Sequence, residues 1–308
     1  MGKKSRRNRT SEPLPEGMSR RQAKLAARAA ERERLAGNPR PFGGQEHEAD
    51  LVALREFVPS ATVPVDVAGA DRPIRLVTLL PGGAAALVRA AEAGGEALVA
   101  MQTRDRSTDA AADLARALAW AASAGDGETL ESAISGDAPA LDEVLTAVRL
   151  DELEVHEGYD WWVPEDVERT PFLEQNIRAA NDTVLPSYRV GADVPGAVWW
   201  VDPGERAHIR WIRREDEGLL LDALARVHAA DHLTLGEGSK FAGVFRADGV
   251  LVPVWDLDRE RPYAEWAGPV ADFQERLAAA LESVKDEPLT GAERRSRDTI
   301  VSRQVTIR

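Results

Sequence analysis

Two apolar segments late in the chain flank a short polar turn and predict a β-hairpin over residues 233–258. FAGVF precedes Asp248-Gly249, and VLVPVW follows this pair. Asp-Gly is favoured at two-residue hairpin turns because both positions adopt positive φ angles. Pro253 has no amide hydrogen, so it predicts that the second strand is unpaired on one side at that point. We expect Trp255 to be a core anchor of this hairpin.

Further strands are predicted where short runs of β-branched and aromatic residues lie between glycine or proline signals. In the first half of the chain these runs cover residues 63–67, 74–80 and 97–103. In the second half they cover residues 153–163, 184–190, 197–202 and 208–213.

Helices are predicted where apolar residues recur three and four positions apart. The predicted helices span residues 51–57, 84–93, 108–122, 215–230 and 269–284. A further helix begins after Thr170, a favourable N-cap that is followed by Pro171 at the first helical position, and ends near Asn181. The buried stripe of helix 269–284 is expected to consist of Phe273, Leu277, Ala280 and Leu281.

The N-terminal segment is rich in basic residues and poor in large apolar ones. Residues 1–18 predict no fixed structure, because they hold two prolines and almost nothing apolar. Residues 19–35 predict an alanine-rich helix that carries Lys24, Arg28 and Arg32 at helical spacing. Its alanine face can bury little area, so we expect this helix to be exposed or bound to a partner.

The order of strands and helices predicts an α+β protein with two sheet-bearing lobes and a basic N-terminal helical arm. The predicted parts are the arm over residues 1–40, a first lobe over 41–140, a second lobe over 141–288 and a flexible basic tail over 289–308. Residues 97–119 and 207–225 each read as an apolar strand, a charged junction and a helix rich in alanine and leucine. A duplicated strand-helix unit and chance similarity both account for this pattern.

Composition restricts the chemistry available to the chain. The 308 residues are 44% hydrophobic and 30% charged, which is typical of a globular protein. The lack of cysteine excludes disulfides, thiolate nucleophiles, iron–sulfur clusters and thiolate zinc sites. No apolar segment follows the basic N-terminus, and the longest apolar stretch is interrupted by charges. We therefore predict a cytoplasmic protein that does not insert into membranes.

Charge is distributed unevenly along the chain, whose formal net charge is −13. Residues 1–40 contain twelve lysines and arginines against four glutamates, so their net charge is +8 and the remaining residues carry −21. A basic arm on an acidic body can bind a polyanion such as RNA, or it can fold back on the body itself.

The best candidate for metal chemistry lies at the end of the predicted hairpin. Asp256 and Asp258 are two positions apart, so their side chains share a face if the strand continues. Together with Glu237 they would offer oxygen ligands to a hard cation such as Mg²⁺. Acidic residues at a strand end also have a simpler interpretation, which is that they solvate a loop. Both interpretations stay open at this point.

Other chemical motifs are weaker. His228 and His232 have the spacing of a metal pair on a helix, but Ala229 stands where the motif has a glutamate. Residues 236–240 read GEGSK, yet a phosphate-binding loop would be followed by a helix and here a strand-like run follows. The sequence therefore implies no cofactor.

Tryptophans cluster in the second half of the chain. Trp199 and Trp200 are adjacent in a predicted strand, so their rings point to opposite faces of the sheet. One ring would face the core and the other a helix, a second layer or a partner. Base stacking on an exposed ring is the functional alternative. Acidic residues nearby make a poor setting for a polyanion and favour core packing.

Three segments of the chain have the character of family markers. They read RPFGG at residues 40–44, DLVALREFVPSATVPV at 50–65 and GEGSKFAGVFRADGVLVPVWDL at 236–257. Together they resemble an uncharacterised actinobacterial family, domain of unknown function 5926. The resemblance covers most of the chain after residue 40 and implies kinship without a catalytic residue. Some relatives begin with a cysteine-rich zinc module, which this cysteine-free chain does not match.

These observations predict a non-enzymatic interaction protein whose basic arm contacts RNA, the ribosome or an acidic partner. The alternative is a metal-dependent enzyme that uses Glu237, Asp256 and Asp258. The arm residues expected to make the contact are Lys3, Lys4, Arg6, Arg7, Arg20, Arg21, Lys24, Arg28 and Arg32.

Overall fold

The computed structural model describes residues 37–134, 136–164, 167–191 and 193–303. The chain divides into two compact units, Met1–Pro39 and Arg40–Arg308. The predicted helix at residues 19–35 and the nine predicted contact residues of the arm lie outside the described residues. All the described helices and strands belong to the second unit.

The first sheet has seven strands. They are β1 (Ala61–Val67), β2 (Ile74–Leu79), β3 (Ala86–Val88), β4 (Ala97–Gln102), β5 (Thr129–Leu130), β6 (Leu145–Val148) and β7 (Glu154–Val155). Their order is β5-β3-β4-β2-β1-β6, and β7 also pairs with β1. Only the β2–β4 pair among them is parallel, so this sheet is mixed.

The second sheet has five antiparallel strands. They are β8 (Ser187–Arg189), β9 (Ala197–Val201), β10 (Ala207–Ile212), β11 (Ser239–Ala247) and β12 (Val250–Leu257). Their order is β11-β12-β10-β9-β8.

The predicted hairpin is formed by β11 and β12. Asp248 and Gly249 join the two strands with φ angles of 44° and 78°, as this turn requires. The regular pairing of β12 with β10 ends at Val254, next to Pro253, and only an isolated bridge at Leu251 lies beyond it. Both the turn and the break in pairing are confirmed.

Seven helices are present in the described residues. They are α1 (Glu48–Glu56), α2 (Ala110–Ser123), α3 (Leu141–Val144), α4 (Pro171–Asn181), α5 (Glu217–Ala229), α6 (Ala267–Asp286) and α7 (Gly291–Ser302). Within these ranges, no helix combines the length and the apolar character that crossing a membrane requires.

Helix α1 lies between the two sheets. It contacts β2 and β4 of the first sheet and β9 and β10 of the second. All its residues from Glu48 to Leu54 are buried, including both carboxylates of its first turn. One core therefore contains side chains of both sheets, such as Leu76 and Val99 from the first and Trp199 and Val252 from the second.

Arginines compensate the two buried carboxylates of α1. Glu48 accepts hydrogen bonds from Arg40 at 2.5 and 2.8 Å and from Arg214 at 3.3 Å. Asp50 accepts one from Nε of Arg189, on β8, at 2.8 Å. Burial still raises the pKa of Asp50, although Arg189 opposes the shift. A buried carboxylate without a cation costs several kcal/mol, so these pairs allow a charged helix to occupy the core.

The opposite face of the second sheet forms another core with α5, α6 and α7. Trp211, Trp255 and Phe273 pack together there, with ring centroids 5.1, 6.1 and 6.3 Å apart. Trp200 belongs to this core, whereas Trp199 belongs to the core around α1. The predicted alternation of the two rings and the role of Trp255 as an anchor are both confirmed.

The two sheets and the helices confirm the predicted α+β class. The helices predicted at residues 108–122, 170–181, 215–230 and 269–284 are present within two residues of their expected ends. The predicted stripe of α6 is buried at all four positions. The two strand-helix segments that resemble each other in sequence are β4 with α2 and β10 with α5. Strand β4 pairs in parallel with β2 in the first sheet, whereas β10 pairs antiparallel with β12 in the second.

Two predicted elements are wrong. The helix expected at residues 84–93 is instead strand β3 followed by a 3-10 turn, Ala91–Ala93. Pairing of β3 with β4 overrides the helix propensity of the alanines. The strand expected at 153–163 is limited to β7, because Tyr159 and Trp162 donate side-chain hydrogen bonds to backbone carbonyls beside the first sheet and hold a turn there.

The expected boundary at residue 140 and the expected tail also differ from the structure. The first sheet continues beyond residue 140, since β6 and β7 pair with β1. Most of the predicted flexible tail is helix α7, which contacts α5. Thr290 and Glu293 form a capping box at its start, and Ile300 is buried near its end. Because Ile300 is the one large apolar residue that this helix buries, its sequence shows too little apolar periodicity to predict a helix.

Replacing Glu48 by alanine should lower the free energy of unfolding by about 1–3 kcal/mol, because its charge-assisted hydrogen bonds to Arg40 and Arg214 are lost. The exposed pair of Glu282 and Lys285 is the control, and Glu282→Ala should change stability by less than about 0.5 kcal/mol. Urea unfolding of both variants measures the difference. Equal losses would contradict a central role for the buried pairs.

Ile300→Ala should lower the free energy of unfolding by about 2–4 kcal/mol, since its side chain is 1% exposed. Asp298→Ala changes an exposed position of the same helix and should have little effect. Thermal unfolding of both variants tests whether α7 is part of the folded body. A flexible tail would leave both variants unchanged.

Candidate functional site

An open groove lies where the β11–β12 hairpin ends. Strand β12 ends at Leu257, and the amide of Asp258 then donates a hydrogen bond to the carbonyl of Gly238 at 2.7 Å. The groove has a volume of about 570 Å³ and faces solvent. Its lining residues are Glu205, Arg206, Gly238, Ser239, Lys240, Asp256, Leu257, Asp258, Arg259 and Glu260.

The sheet register places Asp256 between two neighbouring strands. Asp256 stands opposite His208 on β10 and opposite Lys240 on β11. Because side chains alternate along a strand, Asp256 shares its face with Val252 and Val254, which lie in the core around α1. The carboxylate of Asp256 thus sits where the buried face of the second sheet reaches solvent.

His208 and Asp256 form the closest pair of titratable groups in this region. Nδ1 of His208 lies 3.1 Å from Oδ1 of Asp256, although this nitrogen is not aligned for a hydrogen bond. Nη1 of Arg206 lies 3.7 Å from Oδ2 of the same carboxylate. Asp256 is therefore flanked by a histidine and by an arginine that is mostly exposed.

Burial lowers the pKa of His208, and the charge of Arg210 adds to this shift, while Asp256 opposes it. A lowered pKa means that the folded protein favours the neutral imidazole. The stability that this provides is present above the normal histidine pKa and is lost as the pH falls through the lowered value. A neutral imidazole beside a carboxylate can accept a proton or orient a ligand at neutral pH.

Arg210 adds a buried positive charge on the same face of β10. Its side chain lies against the ring of Phe57, with 5.1 Å between the guanidinium carbon and the ring centroid. Burial lowers the pKa of Arg210 to about 10. Within the described residues no carboxylate lies within 4 Å of this guanidinium, and its charge contributes to the lowered pKa of His208.

The structure brings together two of the three residues proposed as metal ligands. Asp256 and Asp258 both line the groove, whereas Glu237 is not among its lining residues. Oδ1 of Asp258 accepts a hydrogen bond from the amide of Glu260 at 3.0 Å and so shapes the following turn. In the parts of the chain that the structure describes, no three histidine, aspartate or glutamate side chains are grouped closely enough to hold a metal ion.

Sequence reasoning missed His208, Arg206 and Arg210. The alternating pattern of AHIRWIR indicates that His208 and Arg210 share one face of a strand. It does not indicate which residue on the neighbouring strand faces them, because the register between β10 and β12 depends on pairing across a long stretch of sequence.

Asp256→Asn should lower the pKa of His208 further, because this carboxylate raises it more than Asp202, the other carboxylate that acts on it. Asp258→Asn is the control and should leave it unchanged, since Asp258 does not contribute to the shift. NMR titration of the histidine Cε1 protons, with His208 assigned through His208→Gln, measures both. A similar response to the two substitutions would show that Asp256 and His208 are not coupled.

The comparison with known protein families agrees with the resemblance in the sequence. The model described as "Family of unknown function (DUF5926)" matches residues 41–308, which is nearly the whole second unit. No curated protein and no solved structure matches the chain. The groove, the hairpin and α1 all fall within the matched residues. The chain therefore belongs to the DUF5926 family.

Proposed function

We propose that this protein binds RNA through its basic N-terminal arm and carries its folded body as an acidic appendage. The residues assigned to the contact are Lys3, Lys4, Arg6, Arg7, Arg20, Arg21, Lys24, Arg28 and Arg32. The body is not assigned any catalytic role in this proposal.

The ion pairing of the body supports this division of labour. Arg246 makes two hydrogen bonds to Glu217 at 2.5 and 2.8 Å, and Arg259 bonds Asp202 at 2.6 Å. Other arginines of the body that form ion pairs are Arg55, Arg72, Arg75, Arg149, Arg169, Arg189, Arg213, Arg214, Arg226 and Arg297. These guanidinium groups are occupied by the body's own carboxylates, so they offer little to phosphate.

The net charges favour the same arrangement. Residues 41–308 carry −21, which repels a polyanion, whereas residues 1–40 carry +8. At physiological salt the Debye length is about 8 Å, so each part acts mainly on what it touches. The arm can therefore attract phosphate while the body remains outside the complex.

The composition of the arm favours contacts with phosphate over contacts with bases. Residues 1–40 contain no tryptophan, tyrosine or phenylalanine, the side chains on which unpaired bases stack. Lysine and arginine contacts to phosphate position a protein but carry no sequence information. We therefore expect binding that tolerates many RNA sequences and depends strongly on salt.

RNA binding should weaken on the order of a thousandfold between 50 and 200 mM salt, because about eight phosphate contacts release counterions. Replacing Lys24, Arg28 and Arg32 together by glutamine should weaken RNA binding and make the binding constant less dependent on salt. The matched control replaces Arg178, Arg295 and Arg303 together by glutamine, which removes the same charge from exposed positions of the body.

Fluorescence anisotropy with a labelled single-stranded RNA measures both triple variants across a salt series. Loss of binding in the arm variant alone supports the proposal. Equal loss in both variants would place the contact on the body, and no binding by the intact chain at low salt would remove RNA as the partner. In that last case an acidic protein becomes the partner to test.

A further inference from the structure

Two arginines are buried among the described residues, and they differ in their partners. Arg213, just after β10, is 1% exposed and donates hydrogen bonds to Glu215 at 3.0 Å and to Gln274 at 2.6 Å. Arg210, on β10 itself, is 7% exposed and makes no hydrogen bond or ion pair within the described part of the chain. A buried charge that lacks a partner is costly, so Arg210 weakens the fold unless an anion binds it.

The surroundings of Arg210 supply no oxygen acceptor to its guanidinium group. The group lies against the ring of Phe57, with 5.1 Å between the guanidinium carbon and the ring centroid. A ring attracts a cation but does not take up the N–H donors that a guanidinium presents in its plane. None of the nitrogen atoms of this side chain is fully enclosed, so each borders space that water can enter. A ligand can therefore reach these donors without displacing a partner that the protein provides.

The position of Arg210 on β10 places it two side chains from the groove at the hairpin end. Arg210 follows His208 by two positions, so both side chains share a face of the sheet and start about 7 Å apart along the strand. His208 in turn lies 3.1 Å from Asp256, which lines the groove. The side chains of His208 and Asp256 are 23% and 26% exposed. Solvent thus reaches the sheet face on the side from which a ligand would approach Arg210.

We propose that Arg210 binds the carboxylate group of a small organic acid. The two oxygens of a carboxylate match the parallel N–H donors of a guanidinium, and one negative charge balances one positive charge. Water can accept the same hydrogen bonds but leaves the buried charge uncompensated. A dianionic phosphate would bring excess negative charge toward Asp256, which disfavours it. This inference does not rest on RNA binding, because Arg210 belongs to the body and the proposed RNA contacts belong to the arm.

Replacing Arg210 by methionine tests whether its charge destabilises the protein in the absence of a ligand. Methionine keeps an unbranched apolar side chain against Phe57 and removes the charge, so Arg210→Met should raise the melting temperature by about 2 °C or more. Arg213→Met is the matched control and should lower it, because Glu215 loses its buried cation. Differential scanning calorimetry in chloride buffer measures both. A fall in Arg210→Met as large as that in Arg213→Met would overturn the proposal, since Arg210 would then be a structural residue.

Acetate is the probe for carboxylate binding. At about 100 mM and equal ionic strength, sodium acetate should raise the melting temperature of the intact chain by about 2 °C or more over sodium chloride, because a ligand of the folded state stabilises it by mass action. Arg210→Met should show no difference between the two salts. Arg178→Gln removes an exposed arginine of the body and should keep the difference in full. Equal melting temperatures of the intact chain in acetate and in chloride would overturn the proposal.

Two further outcomes of the same measurement test the site and the class of ligand. A gain in acetate that persists in Arg210→Met would place the effect elsewhere on the chain and overturn the proposal. Sodium phosphate at the same ionic strength should give a smaller gain than acetate. A larger gain in phosphate that disappears in Arg210→Met would overturn the assignment of a carboxylate in favour of a phosphate group.

Discussion

The pairing of buried carboxylates on α1 with arginines from distant segments is the constraint on which the rest of the structure depends. Glu48 forms ion pairs with Arg40 and Arg214, and Asp50 forms one with Arg189. These arginines come from the segment before α1, from β8 and from the segment after β10. A carboxylate buried without its cation costs several kcal/mol, so alternative placements of these segments are strongly disfavoured. The pairs therefore fix the second sheet against the helix that separates it from the first.

The second sheet is covered on both faces, and this packing sets the environment of the groove at its edge. The middle of the face toward α1 is apolar, with Trp199 and Val254 in the core, whereas polar residues follow at its open end. His208 and Arg210 are partly removed from water there, and burial is the main cause of both lowered pKa values. The unusual titration of this region therefore arises from the layered packing of the fold.

The sequence correctly predicted those elements whose conformation depends mainly on residues that are close together in the chain. The β11–β12 hairpin followed from Asp248-Gly249, and α6 followed from its apolar periodicity. Elements that depend on distant partners were missed: β3 is a strand because β4 pairs with it, and α7 is a helix of the folded body because it packs against α5 and places Ile300 in the core. The same limit applied to the site. Asp256 was identified from its spacing, but its neighbour His208 is set by strand register, which the sequence does not display.

The contacts of the arm and the contacts inside the body obey different electrostatics. Contacts of a basic arm with phosphate would be made in water, where added salt competes for the same counterions. The carboxylate of Glu48 is buried against Arg40 and Arg214, and buried pairs are screened much less by salt. Salt that releases a polyanion from the arm should therefore leave the pairs around α1 in place, because exposure governs the first kind of contact and burial governs the second.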